Sequence, residues 1–144
     1  MPANESGAYR PDPEDVYVSA PPLADEWAWL TERLAEDIRG AGTPADRIDL
    51  LRWAALTDRE SVAQEEEEHT AFRGVHDEAA LAAAQATSAA WGTFAEAANA
   101  LMVHDQAHGT YSGPCTRDQL ELGWEGDRAY VRQEYKAWRS CTDV

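Results

Sequence analysis

The stretch HDEAALAAAQATSAAWGTFAEAANALMVHDQAH, residues 76–108, decides the fold class. It contains no Pro and a single Gly, Gly92, and it is dominated by Ala, the residue with the highest helix propensity. It reads as one long helix from about His76 to His108, stopped by Gly109-Thr110-Tyr111-Ser112-Gly113-Pro114. Leu81, Ala84, Ser88, Trp91, Ala95, Ala98, Leu101 and His108 follow helical spacing and predict its buried side. Ala adds propensity but little buried area, so Trp91, Phe94, Leu101, Met102 and Val103 have to supply the cohesion. Gln85, Thr87, Ser88, Gly92, Glu96 and Asn99 interrupt its apolar character, which excludes a membrane span. The small residues permit close approach of a second helix, and with it a homodimer.

Outward from this helix, the rest of the chain is also helical in pattern. Leu23, Trp27, Leu30, Leu34 and Ile38 predict a helix from Leu23 to Arg39, ended by Gly40 and Gly42. Thr43-Pro44 then supplies a cap and a first helical residue, and Ile48, Leu51 and Ala55, widened by Leu50, Trp53 and Leu56, give the next helix its apolar face. Thr57 and Glu60 have capping-box spacing, so a new helix is expected there after a bend, with an uninterrupted helix as the competing reading. Gly74 marks a break. Thr116 and Gln119 fit a short helix through Leu122, Gly123-Trp124-Glu125-Gly126 reads as a turn, and Asp127 caps a last helix carrying Val131, Tyr135 and Trp138. Residues 1–22, with Pro11, Pro13, Pro21 and Pro22, are expected as an extended or partly mobile N-terminal segment ahead of a single helical domain, 23–144. The expected architecture is all-α, a small bundle of about four to six helices.

Charge bounds what such a bundle can touch. The chain has 27 Asp and Glu against 12 Lys and Arg, a formal net charge of -15. Six Trp and a hydrophobic fraction of 44% separate it from a disordered acidic chain. Direct nucleic-acid binding is not expected in a field of the wrong sign, and the local run Arg128, Arg132, Lys136, Arg139 is largely offset by Glu125, Asp127, Glu134 and Asp143. With no secretory signal at Met1-Pro2-Ala3-Asn4-Glu5, cytoplasmic residence is expected. Cys115 and Cys141 are then expected as free, partly buried thiols.

The acidity has a focus, Glu65-Glu66-Glu67-Glu68, followed by His69. Four consecutive helical positions cover most of the circumference, so some carboxylates project outward at any rotation. The leading expectation is a non-catalytic interaction or regulatory protein that binds a basic partner protein through Glu65, Glu66, Glu67 and Glu68. Two alternatives stand beside it: a nucleic-acid mimic that inhibits a DNA-binding protein, and a small metal-dependent or small-molecule-binding helical-bundle enzyme.

For the enzyme, His104 and His108 lie one turn apart with Asp105 between them, a spacing that suits two metal ligands. Zinc needs three or four ligands, and Asp105 stands where the zinc-protease motif has Glu. Helix C-terminal histidines bonded to the last carbonyls are the plainer reading. Glu66 and His69 have the Glu-x-x-His spacing of a carboxylate-bridged di-metal bundle, with Asp105 and His108 as its echo and Glu32, Glu36 and Glu96 as further carboxylates. A hairpin turning near Gly74 sets Glu66 and His69 opposite Leu81, far from His108. No cofactor is expected. Trp91, Tyr111, Trp124, Tyr135 and Trp138 are candidates for a small-molecule cleft, with core packing as the simpler role.

Overall fold

The computed structural model describes residues 11–38, 47–71, 78–109 and 124–142. They form an all-α bundle of five helices without strands among the described residues: α1 (Pro13–Val16), α2 (Leu23–Ile38), α3 (Arg47–Ala71), α4 (Glu78–His108) and α5 (Trp124–Thr142). The Thr43-Pro44 start, the Gly74 break and the short helix near Thr116 lie outside the described residues. The centre of the fold is an antiparallel α3–α4 hairpin. Gln64 lies beside Thr87, whose hydroxyl donates to its carbonyl, while Arg47 at the other end reaches Asp105.

The long helix ends as its sequence predicts. Gly109 adopts φ 67, and its N–H donates to the Asp105 carbonyl at 2.7 Å, a left-handed cap. Its buried side, however, is rotated from the predicted stripe. Ala80, Thr87, Phe94, Ala97, Ala98, Leu101, Met102 and Asp105 face inward, whereas Leu81 and Val103 are exposed at 59% and 51%. Helical spacing alone admits several stripes in so Ala-rich a segment. The helix instead buries Thr87 and Asp105, which satisfy their polar groups inside.

Three other elements differ from expectation. Residues 13–16 of the supposedly extended segment make one helical turn, because Asp12 accepts from the Glu14 N–H and Pro13 takes the first helical position, where its missing N–H costs nothing. α3 runs unbroken through Thr57, whose hydroxyl bonds back to the Trp53 and Ala54 carbonyls instead of capping a new helix. α5 begins at Trp124, a turn before Asp127, with Gly126 buried inside its first turn. In α2, Glu26 is buried and Trp27 is exposed at 36%, so charge as well as apolar area holds this helix to α3.

The core joins Leu51, Ala54 and Ala55 of α3, Phe94, Ala98, Leu101 and Met102 of α4, and Tyr130, Val131 and Tyr135 of α5, with Val16 of α1 at one edge. Tyr17 packs on Tyr135 at 5.1 Å between ring centroids, and Trp138 meets Tyr135 edge-on at 5.4 Å. The aromatic stripe of α5 is therefore core. Trp91 of α4 stands apart from it and donates its indole N–H to Glu65. Tyr111 lies outside the described residues.

Candidate functional site

The bundle is cross-braced by arginines. Asp58, fully buried on α3, accepts a forked pair of bonds from Arg132 at 2.7 and 3.0 Å and the Tyr17 hydroxyl at 2.6 Å, with Arg128 Nε 3.3 Å away. Arg128 also donates to the Ser61 hydroxyl at 2.7 Å and to Glu65 at 3.0 Å. At the other end of the hairpin, Arg47 bridges two fully buried carboxylates, Asp105 of α4 and Glu134 of α5. The Tyr130 hydroxyl donates to Asp105 as well. Arg52 pairs with buried Glu26 and lies over the Trp29 ring at 3.8 Å, and Arg33 pairs with Asp49.

These contacts set proton affinities. Burial pushes Tyr17 well above the usual phenol range, reinforced by the charge and hydrogen bond of Asp58. Burial likewise raises Tyr130, again with help from Asp105. For Arg47 burial opposes the charge, but Asp105 and Glu134 outweigh it and bind its proton more tightly; Asp58 does the same for Arg132. The two tyrosines and the two arginines thus hold their protons, and with them their hydrogen bonds, at neutral pH.

The arginines' inward commitment decides what is left outside. Arg33, Arg47, Arg52, Arg128 and Arg132 are engaged with Glu26, Asp49, Asp58, Glu65, Asp105 and Glu134. Among the described residues Asp12, Glu14, Asp15, Asp25, Glu32, Glu66, Glu67, Glu78 and Glu96 are exposed, against one exposed cationic side chain, Lys136. The local basic run read on α5 is therefore divided: Arg128 and Arg132 are buried braces, Arg139 is half-buried, and Lys136 faces water.

The run Glu65–Glu68 is divided too. Glu65 turns inward to Arg128 and Trp91. Glu66 and Glu67 are exposed and Glu68 is half-exposed. With Glu78 at the start of α4, they gather carboxylates at one end of the α3–α4 hairpin. That location is unfavourable for the helix itself, because the last turns of α3 carry the negative end of its dipole. Among the described residues, no bond of the fold uses the Glu66 or Glu67 carboxylate.

The metal candidates are not brought together. His104 and His108 stack at 4.2 Å, with His108 Nδ1 2.8 Å from the His104 carbonyl and His104 Nδ1 3.3 Å from Asp105. Asp105 itself is engaged by Arg47 and Tyr130. Glu66 and His69 are exposed at the opposite end of the hairpin, and Glu32 and Glu96 are exposed on α2 and α4. No group of three or more His, Cys, Asp or Glu side chains among the described residues is arranged to hold a metal ion. Cys141 is exposed near the end of α5, not partly buried. A shallow cleft of about 70 Å³ lies among Trp27, Thr57, Glu60, Ala90 and Thr93, away from the aromatic cluster of α5. No described helix is long and apolar enough to cross a membrane.

Sequence reasoning misses the network because it weighs Arg128 and Arg132 only as a local basic run offset by acids near in sequence, while their partners Asp58 and Glu65 lie on another helix. One signal was available: eleven of the 12 basic residues are Arg, the side chain whose rigid fork suits buried carboxylate pairs. No protein-family model, no curated protein and no solved structure matches this chain.

Proposed function

We propose that the protein is a non-catalytic interaction or regulatory module that recruits a basic partner protein through the exposed carboxylates at the α3–α4 end, Glu66, Glu67 and Glu68, with Glu78 beside them. The observation that carries this reading is the division of charge. Five arginines neutralise carboxylates inside the bundle, while nine exposed acidic residues face solvent with only Lys136 opposing them among the described residues. A rigid helical surface of one sign steers an oppositely charged partner and accelerates its encounter. Glu68 lies in the last turn of α3, where a carboxylate opposes the helix dipole, so its presence there supports a role other than helix stability.

The test is affinity capture from the native host with mass spectrometry, comparing wild type with the triple variant E66K/E67K/E68K. Glu65 is left in place because it braces Arg128. A basic protein lost from the variant, and released from wild type by raised salt, supports the reading. An unchanged set of captured proteins overturns it. Competition by double-stranded DNA for the captured partner identifies the special case of a nucleic-acid mimic.

A further inference from the structure

The outward face of α4 is unlike the rest of this acidic surface. Between residues 79 and 103 thirteen positions are exposed, and only one of them, Glu96, is charged. This face is about 33 Å long from Leu81 to Val103 at the helical rise. It also carries those two large exposed apolar side chains, at 59% and 51% exposure.

Their placement is symmetric. Leu81 and Val103 each lie eleven residues from Gly92, in opposite directions. At 100° per residue all three fall within about 20° of one line on the helix surface, as do Gln85 and Asn99, each seven residues from Gly92. We infer that α4 pairs with α4 of a second copy of this chain, antiparallel, with Gly92 on the two-fold axis. In that register Leu81 lies level with the partner's Val103, and Gln85 with the partner's Asn99. The one charge of the face, Glu96, lies level with the partner's Ser88 and not with another carboxylate. A Cβ built on Gly92 would have nothing within 4 Å, so the centre of the face is open to a second helix.

The occupant follows from self-complementarity and charge. An isologous contact requires each half of a patch to match the other half reversed, and this face does so at its apolar and amide positions while setting no carboxylate against another. A basic partner would find almost no carboxylate here. A second acidic copy meets a face from which its own repulsion has been removed. The pairing also places the two Glu66–Glu68 ends roughly 24 Å apart along the helix axis, judged from the pairing of Gln64 with Thr87. Each copy then keeps its acidic end free for the basic partner.

Sedimentation equilibrium of the full chain tests this, with paired substitutions at exposed positions 85 and 99. Within one chain these positions are about 21 Å apart, so their mutual effect is intermolecular. Wild type is expected to dimerise, and more tightly as salt screens the repulsion between two chains of net charge -15. Q85E/N99E and Q85K/N99K each create two like-charge pairs and weaken the dimer by roughly tenfold or more. Q85K/N99E creates two opposite pairs and tightens it. Circular dichroism checks that all three variants keep wild-type helicity. A monomeric wild type overturns the inference. So does a dimer that Q85K/N99K strengthens, because that response follows from reduced net charge without the register.

Discussion

Asp58 draws its donors from the residue following α1 and from α5, so one carboxylate ties three parts of the chain together. Asp105 does the same for Arg47 and Tyr130 at the opposite end. Both carboxylates accept a tyrosine hydroxyl, and this gives the fold a defined response to alkali. Tyr17 and Tyr130 have their phenol pKa values raised in the folded state, by burial first and then by Asp58 and Asp105. A group raised on folding binds its proton more tightly in the native state than in the unfolded chain. Its contribution is fully present below the ordinary phenol value near 10 and is lost as pH rises above it. Urea midpoints measured from pH 8 to 11 should therefore be flat up to about pH 9.5 and fall above it, by up to about 1.4 kcal/mol per pH unit for each tyrosine. Y17F and Y130F should each lower stability at neutral pH but shallow the alkaline fall. A wild-type midpoint that stays level through pH 11 would contradict this reading of the network. None of these bonds was legible from residue order, because Asp58, Arg132 and Tyr17 meet only once the helices pack.

The helices themselves were largely legible. α2 and α4 fall where helical spacing and Ala content place them, and Gly109 ends α4 by taking φ 67. A Cβ there meets no neighbour, so the cost of G109A is conformational alone. That variant should lose about 1 kcal/mol in chemical denaturation, with no change in the folded dichroism spectrum. Helix rotation was less legible. In an Ala-rich helix the apolar contrast between faces is small, so the predicted stripe ran through Leu81 while Thr87 and Asp105 went inside. The same weakness put a bend at Thr57. Its hydroxyl suits a cap, but the same group is equally satisfied by the carbonyls of its own helix. Local signals of this kind name an element more reliably than they name its inward face.

At the scale of the whole molecule, the placement of the arginines sharpens at the surface an acidic imbalance already present in the composition. The fold draws Arg47, Arg52, Arg128 and Arg132 against buried carboxylates and leaves a surface on which acid predominates. The sign of that surface was readable from composition, and so was its focus at Glu65–Glu68. The division within the run was not, because Glu65 is distinguished from its neighbours only by Arg128 and Trp91, sixty-three and twenty-six residues away. That division separates a carboxylate bonded within the fold from those left toward solvent. Equilibrium urea unfolding of E65K beside E66K/E67K/E68K tests it most directly. The account predicts that E65K, which removes a brace and sets a cation against Arg128, lowers stability by about 2 kcal/mol. The triple variant, relieved of self-repulsion and of opposition to the α3 dipole, should match or exceed wild type. A triple variant destabilised as much as E65K would contradict the account, because Glu66–Glu68 would then belong to the fold.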